Sequence, residues 1–132
     1  MRIITRISLC MSLLASIALT PAYAYEQIVE KKVFSLPSYT TVGGKLIKNV
    51  RVGYETYGKL NAAGDNAVFV AHFYSGNSHA AGKYKETDAA PGYWDSIIGS
   101  GKPIDTDKYF VISADTLSNI NTKDPNTTTT GP

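Results

Sequence analysis

Two short, unbroken apolar runs constrain this chain more than any other feature: Ala67-Val68-Phe69-Val70-Ala71 and Tyr109-Phe110-Val111-Ile112-Ser113. Each is too short for a core helix and too uniformly apolar for a strand with one wet face. Each therefore reads as a strand buried on both faces. About 35 residues separate them, enough for the crossover that joins parallel strands. The pair predicts an α/β sheet flanked by helices.

The surrounding sequence adds further elements. Residues 27–36 mix apolar and charged side chains ahead of Pro37 and predict a first strand. Val50, Val52, Tyr54 and Thr56 alternate with Arg51, Gly53, Glu55 and Tyr57, the period of a half-buried strand. Gly43-Gly44 lies between these runs and suits a turn, which makes the two strands an antiparallel hairpin or meander. Residues 93–98 read as a short helical turn halted by Gly99 and Gly101. The stretch from Ser118 onward is rich in Asn and Thr and has no hydrophobic period. Two buried strands do not complete a doubly wound fold, so the expectation is an architecture that stops partway.

Arg2 and Arg6 precede an uncharged, mostly apolar run from Ile7 to Leu19, followed by Pro21 and Ala22-Tyr23-Ala24. This is the layout of a secretory signal peptide cleaved after Ala24. Thirteen helical residues rise only about 20 Å against a hydrocarbon core of about 30 Å, so no stable membrane anchor is expected. The division is residues 1–24 as signal peptide and residues 25–132 as one small domain, periplasmic or secreted. Cys10, the single cysteine, falls in the leader, which leaves the remainder without disulfides or thiolate ligands. Of the 13 Lys and Arg, two are also in the leader, so residues 25–132 carry as many basic as acidic side chains, eleven of each. A phosphate backbone needs a clustered basic excess, and nucleic acid is not an expected partner.

Gly76-Asn77-Ser78-His79-Ala80 fits a loose Gly-x-Ser-x-small pattern beyond a strand. An elbow serine must sit on the strand-to-helix turn itself, and Ser78 is too far past residues 67–71. No histidine follows His79 to complete the order Ser, acid, His, so Ser78 reads as a loop serine bonding its own turn. His72 and His79, even with Asp88 and Asp95, have no spacing that demands a metal. Gly76, Gly82 and Lys83 miss a phosphate-binding loop by one residue, with Tyr84 where Ser or Thr is required. No metal and no cofactor are expected. Tyr93 and Trp94 read as packing aromatics.

One family resemblance runs through most of this. Tyr54-Glu55-Thr56-Tyr57-Gly58-Lys59-Leu60-Asn61, Asn66-Ala67-Val68 into His72, and Ser78-His79-Ala80-Ala81-Gly82 carry it. So do Pro91-Gly92-Tyr93-Trp94-Asp95, Ile98-Gly99, Gly101-Lys102, residues 104–112 and Thr130-Gly131-Pro132. In order and spacing the chain resembles the N-terminal part of the homoserine O-acetyltransferase family, an α/β-hydrolase fold. The resemblance implies acyl transfer to or from a small acyl substrate by a serine, an aspartate and a histidine that all lie beyond the matched segment. It thus assigns no catalytic side chain here. It implies that the loop after the third strand lends a backbone N–H to the oxyanion hole, at Tyr74.

Two departures stand out: His72-Phe73-Tyr74-Ser75-Gly76 differs from the family's usual wording, and Ser113-Ala114-Asp115 replaces its usual Gly-Gly-Cys segment. The leader is at odds with acyl-CoA, a cytosolic cofactor, and opens the alternative of a hydrolase or a transferase using another donor. The expectation is an exported, incomplete α/β-hydrolase sheet, comprising the N-terminal strands plus the first crossover and inactive alone. The alternatives are a non-catalytic binding or scaffolding module, and part of a complete secreted esterase. In the family's sheet the third strand lies between the fourth and the nucleophile-bearing fifth, so residues 67–71 are expected to form an open edge prone to self-association.

Overall fold

The computed structural model describes residues 28–130; the leader read at residues 1–24 lies outside them. Six strands follow in order: β1 (Lys32–Thr40), β2 (Leu46–Tyr57), β3 (Ala67–Ala71), β4 (Ile98–Gly99), β5 (Ile104–Asp105) and β6 (Phe110–Ala114). Four form one sheet in the order β1-β2-β6-β3, while β4 and β5 pair in a small parallel sheet of their own. β1 and β2 are antiparallel, joined by a turn in which Thr41 and Lys45 are hydrogen-bonded, as the Gly43-Gly44 pair implies. β3 and β6 are parallel, so the two apolar runs are neighbours joined by a crossover.

The first strand differs from its expected span. Of the described residues 28–31, Ile28 makes an isolated bridge to Lys83, and the strand itself begins at Lys32 and runs on through Pro37 to Thr40. A proline removes a ladder donor and is tolerated on an edge strand, which β1 is. The register passes from Leu36↔Val50 to Ser38↔Lys48 with no pair at Pro37.

Register also shows which face of the sheet is covered. Because side chains alternate along a strand, Tyr57, Val111 and Val68 form one row and Glu55, Ser113 and Val70 the next, on the same face. Residues 78–104 lie over that face. Val29, Tyr57, Val70, Ala80, Ala81, Ile98 and Val111 are the buried core, with Val68, Tyr93, Ile97 and Ile104 against it. Thr56, Ile112 and Phe69 line the opposite face, where Thr56 and Ile112 are half-buried and Phe69 is 66 % exposed.

The apolar runs therefore do not read out as strands covered twice: β3 and β6 are covered on one face among the described residues. β2 alternates as expected, but over its last turns the buried set is Gly53, Glu55 and Tyr57 rather than Val52, Tyr54 and Thr56.

The crossover contains no helix among the described residues. Residues 93–98 form a single hydrogen-bonded turn, with the Ile97 and Ile98 amides donating to the Trp94 carbonyl. Its rigidity comes from a second layer of backbone bonds, in which Gly92 N donates to Gly82 O (2.8 Å) and Trp94 N to Ala80 O (2.7 Å). Gly92 permits this approach, since a Cβ there would lie 2.3 Å from the Ala81 nitrogen. The Asn- and Thr-rich stretch, which has no hydrophobic period, is a strap along β2. Gly53 N donates to Thr128 O, and Arg51 N to the Thr130 hydroxyl. No helix among the described residues is long and apolar enough to cross a membrane.

Candidate functional site

Parallel strands end together, so the loops that leave the carboxyl ends of β3 and β6 share one corner of the sheet, where open α/β sheets place their ligands. The loops interlock. The Asn119 amide donates to Gly76 O (2.9 Å), the Asn121 amide donates to Ser75 O, and the Asn77 amide donates to Asp124 Oδ2 (3.1 Å). Gly76 N donates to Phe73 O (2.8 Å) and closes a turn over residues 73–76. Tyr74 stands at the tip of that turn, 85 % exposed, and its own N–H meets no acceptor among the described residues. Phe73 lies edge-on to Tyr93 at 5.2 Å and Tyr93 edge-on to Trp94 at 5.9 Å, an aromatic row beside the turn. Tyr93 also borders the core, whereas Trp94 is 40 % exposed, so of the two expected packing aromatics only Tyr93 is largely enclosed.

Behind the loop is a buried polar hub centred on Glu55. Tyr84 donates to Glu55 Oε1 (2.6 Å) and Tyr57 to Oε2 (2.8 Å), His79 Nδ1 lies 3.0 Å from Oε2, and the Lys31 ammonium 3.3 Å from Oε1. Burial pushes the Glu55 carboxyl up, but His79, Tyr84, Lys31 and Tyr57 together outweigh it and hold the group below the ordinary carboxylate value. Burial and the adjacent Glu55 push both the Tyr57 and Tyr84 phenols up, which keeps them protonated as donors. The Tyr57 oxygen in turn accepts from the Ala80 and Ala81 amides, each at 3.0 Å. Asp115 repeats the pattern after β6: it accepts from Ser78 N and Thr128 N, both at 2.7 Å, and faces Lys31 at 3.6 Å. Three stretches distant in sequence are thereby tied to β2.

This hub places Ser78. The serine is fully buried and its hydroxyl accepts from Lys31, so it bonds a distant lysine rather than its own turn. An ammonium flanked by Glu55 and Asp115 is a donor with no lone pair to offer, and His79 is turned to Glu55. Among the described residues, the side chain bonded to the Ser78 hydroxyl is Lys31, and His79 contacts Glu55 instead. His72 and His79 are drawn to different partners, the Phe73 carbonyl and Glu55. Asp88 accepts from the Tyr84 and Lys85 amides, and Asp95 from Gly82 N and the Lys102 ammonium. Each of these acids holds a turn. A shallow open cleft of about 590 Å³ lined by Lys59, Leu60, Asn66 and Lys108 lies at the amino ends of β3 and β6, opposite the corner just described.

Sequence reasoning passed over Glu55, Tyr57, Asp115, Asn119 and Lys31. The signal available was that Gly53, Glu55 and Tyr57 share one face of an alternating strand. A glutamate and a tyrosine two residues apart imply a partnered polar pair if that face is the inner one.

No family model matches the chain. Individual proteins do. Homoserine O-acetyltransferase of Carboxydothermus hydrogenoformans is 44 % identical over 90 residues, which are 68 % of this chain and 24 % of that protein. The crystal structure of homoserine O-acetyltransferase from Bacillus anthracis superposes with a TM-score of 0.77 at 50 % identity, covering 80 % of this chain and 28 % of that one. Over this stretch the chain is similar to the N-terminal part of homoserine O-acetyltransferases. Its structural neighbours are α/β-hydrolase enzymes, and the described residues form a partial, strand-rich sheet. The crystal structure of esterase E22 also superposes with a TM-score of 0.77, at 63 % identity, over 79 % of this chain and 28 % of that one. The chain spans about a quarter of the length of the proteins it matches.

Proposed function

We propose that residues 28–130 are the oxyanion-loop portion of a serine esterase, with the Tyr74 N–H as one donor to the acyl oxygen. The observation that carries this is the position of Tyr74: an amide without a partner among the described residues, on a clamped turn at the carboxyl end of β3. An oxyanion forming there would meet a donor already in place, and preorganised donors of this kind account for much of the rate of acyl transfer. Water as acyl acceptor is favoured over homoserine by the 63 % identity to an esterase. The leader at residues 1–24 supports action outside the cytoplasm, where acyl-CoA is absent. On this reading the segment alone is inactive, because an oxyanion donor without an attacking group leaves little transition-state stabilisation.

The test compares two proteins with p-nitrophenyl acetate. The chain alone is expected to show no saturable turnover. A chimera in which residues 28–130 replace the matched part of esterase E22 is expected to hydrolyse the ester and to leave homoserine unacetylated by acetyl-CoA. Saturable turnover by the chain alone that is lost in Ser78→Ala would overturn the assignment.

A further inference from the structure

We infer that His72 is a positioning residue that aims the Tyr74 N–H, an inference that rests on the oxyanion reading of Tyr74 and adds the residue that sets its geometry. His72 Nδ1 lies 2.6 Å from the Phe73 carbonyl oxygen. A carbonyl oxygen only accepts, so Nδ1 carries the proton and donates, which fixes the imidazole tautomer. Nε2, shielded from solvent, has no partner among the described residues. The same Phe73 oxygen accepts a second hydrogen bond from Gly76 N at 2.8 Å. It is therefore held from two directions.

The consequence follows from the peptide bond. The Phe73 C=O and the Tyr74 N–H belong to one planar unit, and no peptide in the described chain is cis, so the two bonds point in opposite directions. Fixing the carbonyl inward on His72 and Gly76 fixes the Tyr74 N–H outward, on the side where the Tyr74 residue is exposed. Tyr74 cannot turn its amide without breaking both bonds. Gly76 allows the closure, because a Cβ at that position would lie 3.2 Å from each of the His72 Cβ, the Phe73 ring and the Phe73 oxygen. Asn119 and Asn121 hold the far side of the turn through the Gly76 and Ser75 carbonyls. The register places His72 just beyond the Ala71↔Ala114 pair that ends β3, so the imidazole is anchored next to the last paired residue of the sheet.

The experiment is nuclear magnetic resonance on the full ¹⁵N-labelled chain and two variants. In the wild type, the His72 ring nitrogens should report the proton on Nδ1. His72→Ala should speed exchange of the Gly76 amide about five- to tenfold, the effect of losing one partner of a shared acceptor, with the β6 amides unchanged. His72→Asn places an amide N–H where Nδ1–H stood and should restore Gly76 exchange to within about twofold of wild type. A purely structural role would accelerate the β6 amides in step with Gly76. A proton on Nε2 in the wild type, unchanged Gly76 exchange in His72→Ala, or parallel acceleration in β6 would each overturn the inference. These readouts involve no catalysis, so if Tyr74 proves not to be the oxyanion donor, the positioning result stands or falls separately.

Discussion

Replacing Glu55 by Gln removes one charge and changes no volume, yet the geometry predicts a large loss of stability. Glu55 is fully buried and takes four donors, from Lys31, Tyr57, His79 and Tyr84. A glutamine offers one oxygen and one NH₂ in place of two oxygens. The NH₂ cannot face Tyr57, whose oxygen already accepts from Ala80 and Ala81, so it must face Tyr84 and the Lys31 ammonium. Lys31 keeps Asp115 at 3.6 Å, which spares the full cost of an unpaired buried charge. One to two charge-assisted hydrogen bonds are lost, and at about 1.5–3 kcal/mol each the expected cost is about 1.5–6 kcal/mol. For a domain of this size each kcal/mol lowers Tm by roughly 4–8 °C.

The assay is urea and thermal unfolding followed by circular dichroism. Acid dependence gives a second readout. The folded Glu55 carboxyl titrates below its unfolded value, so its contribution is complete above the unfolded carboxylate range of about 4.3 and is lost as pH falls through the lower folded value. Glu55→Gln should flatten that acid limb. A cost below about 1 kcal/mol with an unchanged acid limb would refute the reasoning, because it would mean the hub is not assembled as described.

Two further predictions follow from the sheet and the leader. β3 is an edge strand with Phe69 66 % exposed, so Phe69→Lys should raise the soluble, monomeric fraction in sedimentation, and an unchanged distribution would show that this edge does not drive association. A reporter fused to residues 1–24 should cross the cytoplasmic membrane and begin after Ala24 on N-terminal sequencing, whereas retention inside the cell would remove the export proposal.

The four strands of the main sheet were legible because hydrophobic periodicity and turn chemistry are local, whereas the two-residue β4 and β5 are too short to show a period. The 67–71 and 109–113 runs, the Gly43-Gly44 turn and the alternation through Tyr57 all have counterparts in the sheet. Burial was less legible, since it depends on what lies across the chain. The alternation in β2 shows that the strand has two faces, but the inner one is set by the Ala80 and Ala81 amides docking on Tyr57. The hub was invisible for the same reason: Lys31, Glu55, Ser78 and Asp115 meet across separations that no spacing rule covers. Tyr74 was placed by resemblance alone, and the turn that carries it became apparent only through Asn119 and Gly76.

The central claim is that the Tyr74 N–H is an oxyanion donor, and Tyr74→Pro removes that N–H directly. The measurement is kcat and KM for p-nitrophenyl acetate in the esterase chimera carrying residues 28–130, with and without Tyr74→Pro, alongside Tyr74→Ala, which keeps the amide. Removing one oxyanion donor costs about 10²–10³ in kcat in well-studied acyl-transfer enzymes. The account predicts a loss of that order in Tyr74→Pro with KM little changed, and near-wild-type kcat in Tyr74→Ala. A Tyr74→Pro chimera that keeps kcat within about threefold of its parent would contradict it.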